Sequence, residues 1–130
     1  MILLLACSPP PAVEVVTAPE PKPTANGLYA ITWATRPDPI PMGALFEIEA
    51  TVTNAKTGAP VENAVVRVDA RMPDHGHGMA TRPEDDLDAT NPGGVYVTRG
   101  MKFHMPGAWS ILFVVEGPAG TDRLEVAHRL

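Results

Sequence analysis

The sequence predicts an all-β protein, an immunoglobulin-like antiparallel β-sandwich of about seven strands. Fifteen of the 130 residues are proline, which breaks helix interiors but suits turns and edge strands. Short runs rich in β-branched residues recur between turn residues, and no stretch shows sustained helical periodicity. The chain length and the hydrophobic fraction of 45% are typical of one globular domain.

Alternation of apolar and polar residues indicates the individual strands. It is clearest in "ALFEIEATVT" (44–53) and in "AVVRVDARM" (64–72). The other predicted strands are "LYAITWAT" (28–35), "VYVTRGMKF" (95–103), "AWSILFVVEG" (108–117) and "DRLEVAHRL" (122–130), the last two joined by a hairpin loop. Because "AWSILFVV" is apolar on both faces, we expect a central strand there, with Trp109 in the core.

The chain opens with an apolar run that ends at a small residue and its single cysteine, Leu4-Leu5-Ala6-Cys7. This pattern is typical of a bacterial lipobox, so residues 1–7 are interpreted as a truncated signal segment whose Cys7 becomes lipidated. The alternative is a free thiol on a frayed terminus. Since there is no second cysteine, no internal disulfide is possible.

Residues 8–26 are dominated by Pro, Ala, Thr and Glu. Such a segment buries too little apolar surface to offset the entropy of ordering it, and it favours extended conformations. We interpret it as a linker between the lipid anchor and a domain at residues 27–130. On this interpretation, residues up to about Ala25 are dispensable for folding.

Composition argues against two classes of function. With a net charge of −5 and only 10 Lys plus Arg, the chain has no basic surface for nucleic acid. Catalysis lacks a nucleophile, because Ser110 lies inside an apolar strand without a glycine elbow. The acidic run with Asp85, Asp86 and Asp88 lacks calcium-loop spacing and is interpreted as a solvated loop. We therefore expect a protein that is not an enzyme.

Two fragments carry metal-ligand chemistry, "RMPDHGHGM" (71–79) and "MKFHMPG" (101–107). The first offers His75, His77 and Met79, and the second offers His104 and Met105. In an extended segment the two imidazoles of the first fragment project to the same side, and Gly76 and Gly78 let the backbone wrap an ion. Loops at one end of a sandwich lie near one another, so the fragments are candidates for one site.

Donor type indicates the metal. Thioether sulfur is soft, so imidazole combined with methionine favours copper, above all Cu(I). Structural zinc usually brings cysteine thiolates, and a blue copper centre needs one, whereas Cys7 lies in the N-terminal tether and not near either fragment. The competing interpretation is that the histidines are exposed turn residues and the methionines fill core gaps. His128 is assigned to a solvated strand edge.

The two fragments lie in longer stretches, "GAPVENAVVRVDARMPDHGHGM" (58–79) and "GGVYVTRGMKFHMPGAWSILFVV" (93–115). In these the chain resembles the YtkA-like and FixH-like group of small exported bacterial domains, over roughly residues 40 to 128. The resemblance implies an immunoglobulin-like sandwich, exported and often membrane-attached. It also implies a link to copper delivery during respiratory oxidase assembly or to cation-pump operons.

Two functions follow as expectations. The first is a lipid-anchored accessory protein on the periplasmic or extracellular face of a bacterial envelope. It captures copper through His75, His77 and Met79, with His104 and Met105 completing or bordering the site, and passes it to a membrane protein. The second is a non-metal interaction module that uses the His-Gly loop as a contact surface.

Overall fold

The computed structural model describes residues 19–87 and 90–130, and these form an all-β sandwich of two antiparallel sheets. The strands are β1 Lys22–Pro23, β2 Tyr29–Arg36, β3 Phe46–Asn54, β4 Val65–Met72, β5 His77–Gly78, β6 Glu84–Asp85, β7 Val95–Met101, β8 Ala108–Gly117 and β9 Gly120–Arg129. A 3₁₀ turn at Pro92–Gly94 precedes β7. The predicted lipobox with Cys7, and Asp88 of the acidic run, lie outside the described residues.

The strand order is β1-β2-β3-β7-β6 in one sheet and β5-β4-β8-β9 in the other. The six long strands coincide with the six runs that the sequence indicates. The described residues hold nine strands rather than about seven, because β1, β5 and β6 are two-residue strands, too short to show an alternating pattern. Strand β8 lies between β4 and β9, as predicted for the most apolar run.

The core fills the space between the sheets. Along β3 every second residue from Phe46 to Val52 is buried, which is the period-2 pattern expected of a strand with one covered face. Trp109 is 1% exposed, confirming its predicted place in the core. Its ring stacks on Phe103 at a centroid distance of 4.4 Å, and Phe103 meets Phe46 edge-on at 5.0 Å. Aromatic rings therefore fill the core beneath the β7–β8 loop.

Part of the segment predicted as a linker is attached to the domain. Strand β1 pairs with β2 through Lys22 and Pro23, and Thr24 is only 3% exposed. The backbone N–H of Ala25 donates to the carbonyl of Arg123 at 2.8 Å. These contacts tie the segment to both sheets, so we no longer expect removal of residues up to Ala25 to leave stability unchanged.

The two ends of the sandwich carry different loops. Strands β2, β4 and β7 finish at the end where β3 and β8 begin, as the pairs Arg36–Glu47, Phe46–Met101 and Arg71–Ser110 show. We call this the histidine end, formed by residues 37–45, 73–79 and 102–107. Residues 73–79, which include the short strand β5, are the first histidine loop, and residues 102–107 are the second. The β8–β9 hairpin and residues 24–28 form the opposite end, which we call the Asp122 end.

Candidate metal-binding site

The first histidine loop is a tight turn. After β4 ends at Met72, the N–H groups of His75 and Gly76 both donate to the Met72 carbonyl, at 3.2 and 3.0 Å. Residue His77 then returns to pair with Met72 as part of β5. The prediction that residues 75–77 run extended is wrong, since the chain reverses there. The turn nevertheless brings the two imidazoles together, with ring centroids 5.7 Å apart.

Only one glycine of this loop needs its conformational freedom. Gly76 has a φ of 66°, in the left-handed region that favours glycine. Gly78 has no positive φ and pairs with Arg71 in the β4–β5 ladder. The expectation that both glycines relax the backbone therefore holds for Gly76 alone.

Three contacts fix the second histidine loop. The indole N–H of Trp109 donates to the Met105 carbonyl at 3.0 Å. Gly107 and Leu130 exchange two backbone hydrogen bonds, at 3.0 and 3.1 Å. Gly107 has a φ of 135°, and a Cβ placed there would lie 2.7 Å from the Met72 side chain. The loop carrying His104 is thus packed directly against the end of β4.

The two loops converge at the histidine end. The His104 ring lies 5.4 Å from the His77 ring, so His75, His77 and His104 form a row of neighbouring imidazoles, all exposed. Imidazoles that bind one ion through bonds of about 2 Å have ring centres roughly 5 to 6 Å apart. The spacing of adjacent rings is therefore compatible with a shared ion.

Trp109 forms the floor of this imidazole row. Its ring meets His104 and His77 nearly edge-on, with centroid distances of 5.6 and 6.4 Å. The sequence predicted Trp109 only as a core residue, and its contact with the site was missed. The imidazole row is thus in contact with the aromatic core of the domain.

One hydrogen bond determines which nitrogen of His77 can bind an ion. The Nδ1 atom lies 2.9 Å from the carbonyl oxygen of Gly78. A carbonyl oxygen only accepts, so Nδ1 carries the proton in the neutral ring and the Nε2 lone pair remains for a ligand. Protein metal sites orient ligating histidines by this kind of contact.

The two predicted methionine donors border the row but have other contacts. Met79 is half-buried against the core, and its sulfur accepts a hydrogen bond from the Lys102 N–H at 3.5 Å. Met105 is also half-buried against the core. A thioether is a weak acceptor with a second lone pair, so Met79 retains one for a metal. These side chains therefore both pack and offer sulfur.

Nitrogen and oxygen donors alone do not form a complete site in residues 19–87 and 90–130. No group of three or more His, Cys, Asp or Glu side chains there is positioned to hold a metal ion. An ion at the imidazole row would need small ring movements, thioether donation or a low coordination number. Cu(I) accepts thioether ligands and a low coordination number better than zinc does.

His128 and Asp85 are not part of the imidazole row. His128 is half-buried on β9, with its ring 6.2 Å from Phe103, rather than fully solvated. Asp85 accepts hydrogen bonds from the Val68 N–H at 3.0 Å and the Thr98 hydroxyl at 2.7 Å. This carboxylate therefore links the two sheets, and the prediction of a simple solvated loop is wrong for Asp85.

Comparison with known families supports the resemblance seen in the sequence. A family profile described as YtkA-like matches residues 35–113, which include both histidine loops. This chain belongs to the YtkA-like family. Membership suggests a small exported accessory domain. The match does not extend to the FixH-like part of the resemblance.

A search of curated proteins finds no match to this chain. In the described residues of this YtkA-like domain, no helix combines the length and the apolar character that membrane crossing requires.

Proposed function

We propose that this YtkA-like protein captures copper as Cu(I) in the bacterial cell envelope, on the periplasmic or extracellular face, and delivers it to a membrane protein. The observation that carries the proposal is the convergence of His75, His77 and His104 from two separate loops. The free Nε2 of His77 and the thioethers of Met79 and Met105 make a mixed nitrogen and sulfur donor set. Such a set favours copper over zinc, calcium and magnesium.

Exposure of the site suits transfer rather than storage. All three imidazoles are exposed, so a partner protein could approach a bound ion directly. A copper-receiving membrane protein, for example one in respiratory oxidase assembly, is the kind of partner that this arrangement fits. The proposal assigns the protein a binding role and no reaction.

A lipid anchor at Cys7 would place the domain at the membrane. The support is the pattern Leu4-Leu5-Ala6-Cys7, followed by a Pro-rich segment long enough to separate the domain from the bilayer. Fractionation of cells that express the native upstream sequence tests this. We expect wild-type protein in the membrane fraction and Cys7→Ala in the soluble fraction. Soluble, unlipidated wild-type protein would refute the anchor.

Competition with a Cu(I) chelator tests the copper proposal. The wild-type domain should bind Cu(I) more tightly than Zn(II), and replacing His75 and His77 together with alanine should abolish Cu(I) binding. His128→Ala is the matched control, because that imidazole lies outside the row, and its affinity should equal that of the wild type. Equal Cu(I) affinity in the wild type and in the double variant would disprove the copper site.

A second function has one observation in its favour. The three imidazoles of the histidine row are all exposed. This exposure also fits a contact surface for another envelope protein that binds no metal. Absence of Cu(I) binding by the wild-type domain would favour this alternative.

A further inference from the structure

The methionines of the described chain lie in three environments. Met72 and Met101 are fully buried in the core. Met79 and Met105 are half-buried against it. Met42 is 56% exposed. Met42 is the most exposed of the five, so its sulfur can reach an ion without any movement of the core.

The half-buried methionines have structural roles that limit them as donors. The sulfur of Met79 accepts the Lys102 N–H, a contact that joins the first histidine loop to the second. Met105 packs against the core, and its carbonyl receives the Trp109 indole N–H. Moving the Met79 side chain toward an ion would break its contact with Lys102.

Met42 belongs to a third loop at the histidine end. Its neighbour Gly43 donates a backbone hydrogen bond to the carbonyl of Phe103 at 2.8 Å, and Met42 itself forms an isolated β-bridge with Phe103. Residue Phe103 directly precedes His104 in the chain. The 37–45 loop is therefore fixed to the backbone that carries one of the site's imidazoles, and the Met42 side chain in this loop is exposed.

Folding alone gives little reason for methionine at this position. A flexible apolar side chain that remains 56% exposed contributes little burial energy. Its neighbour Leu45 is 62% exposed and offers no donor atom. The feature that distinguishes Met42 from an ordinary exposed apolar residue is its sulfur.

We infer that Met42 supplies a soft donor to the histidine site, so that three loops rather than two bind the ion. The inference rests on the proposed copper function and specifies its ligands: imidazoles from loops 73–79 and 102–107, and a thioether from loop 37–45. A sulfur at the surface is also the donor that an approaching partner would meet first. The ligand class is a soft monovalent ion, Cu(I) or its analogue Ag(I).

Replacing Met42 with leucine tests this inference, since Leu keeps the apolar volume and removes the sulfur. In chelator competition, Met42→Leu should weaken binding of Cu(I) and Ag(I) by about tenfold or more, as expected for loss of a soft ligand. The melting temperature should not change, because the side chain is exposed. Leu45→Ala is the control, because it removes an exposed apolar side chain of the same loop that has no donor atom, and it should bind Cu(I) within about twofold of the wild type.

The outcomes separate this inference from the copper proposal. Wild-type Cu(I) affinity in Met42→Leu, with binding lost in the His75/His77 double variant, would overturn the role of Met42 and leave the copper proposal intact. A tenfold loss of Cu(I) affinity in Met79→Leu or Met105→Leu, with no loss in Met42→Leu, would mean that Met79 or Met105 provides the sulfur ligand. That result would also overturn the inference. No Cu(I) binding by the wild type would overturn both.

Discussion

The two ends of the sandwich both carry polar side chains, but they use them in opposite ways. At the Asp122 end a carboxylate that is 3% exposed accepts hydrogen bonds from the Thr24 hydroxyl at 2.6 Å and the N–H groups of Asn26 and Leu28. At the histidine end three imidazoles are exposed. In the described chain the only hydrogen bond to these rings is that between His77 Nδ1 and Gly78.

Because the polar groups at the two ends differ in burial and hydrogen bonding, we expect them to have different roles. A buried carboxylate is stabilised only when its oxygen atoms are hydrogen-bonded, and Asp122 meets that condition with partners from the N-terminal segment. Imidazoles that keep free lone pairs at the surface contribute little to folding but remain available to ligands. We therefore expect substitutions at the Asp122 end to lower stability, and substitutions at the histidine end to change binding.

The largest expected effect is the loss of stability in Asp122→Ala. Removing the carboxylate leaves the buried Thr24 hydroxyl and several N–H groups without their acceptor, so the free energy of unfolding should fall by roughly 3 kcal/mol. Chemical denaturation measures this. Asp86→Ala is the control, because Asp86 is exposed, and it should lie within about 0.5 kcal/mol of the wild type. Equal stability of the two variants would contradict a structural role for Asp122.

The same carboxylate should make the stability of the protein depend on pH. Burial raises the pKa of Asp122, but hydrogen bonds from Thr24 and three backbone N–H groups outweigh burial and lower the pKa from 3.8 to about 2. Because the folded-state pKa is the lower one, this stabilisation is complete above about pH 4 and is lost as the pH falls toward 2. Denaturation at several pH values should show this loss in the wild type and a smaller one in Asp122→Asn. If the stability of the wild type and that of Asp122→Asn fall equally as the pH is lowered, the Asp122 carboxylate is not the cause of the loss.

A somewhat smaller effect should follow from truncation. Removing residues 1–25 deletes the hydroxyl of Thr24 and the Ala25 hydrogen bond to Arg123, whereas removing residues 1–18 keeps both. We expect the longer truncation to be less stable than the shorter one by about 2 kcal/mol, from hydrogen bonds that lose a partner. Thermal unfolding of the two proteins measures the difference. Equal melting temperatures would restore the view that the whole segment is a linker.

The smallest effect on stability should come from the histidine end. Replacing His75 and His77 together with alanine should change the free energy of unfolding by no more than about 0.5 kcal/mol, because both side chains are exposed. Denaturation of the metal-free protein measures this. A loss of several kcal/mol would mean that the imidazoles support the fold, and it would remove the contrast between the two ends.

Much of the fold follows from local patterns in the sequence. The alternation in β3 and β4 and the apolar run of β8 indicate strands directly, and the strand ends then place both histidine fragments at one end. The two-residue strands were missed because they arise from pairing rather than from a pattern of their own. The link between Thr24 and Asp122 spans 98 residues, and no local signal indicates it.

The candidate site was only partly predictable for the same reason. Donor chemistry indicated the imidazoles of both fragments, but the extended geometry expected around His75 gave way to a turn. The contact of Trp109 with the imidazoles depends on how the β7–β8 loop packs, which the sequence does not reveal. Met42 gave one weak signal, since "PMG" at 41–43 contains the same residues as "MPG" at 105–107.

The central claim is that imidazoles from two loops bind one Cu(I), and a double-mutant cycle between His77 and His104 tests it most directly. Cu(I) affinities of the wild type, the two single alanine variants and the double variant are measured by chelator competition. If both rings bind the same ion, replacing His104 should weaken binding strongly in the wild type and much less once His77 is absent, with a coupling of about 1 kcal/mol or more. If the losses in the two single variants simply multiply in the double variant, the loops act independently and the shared site is contradicted.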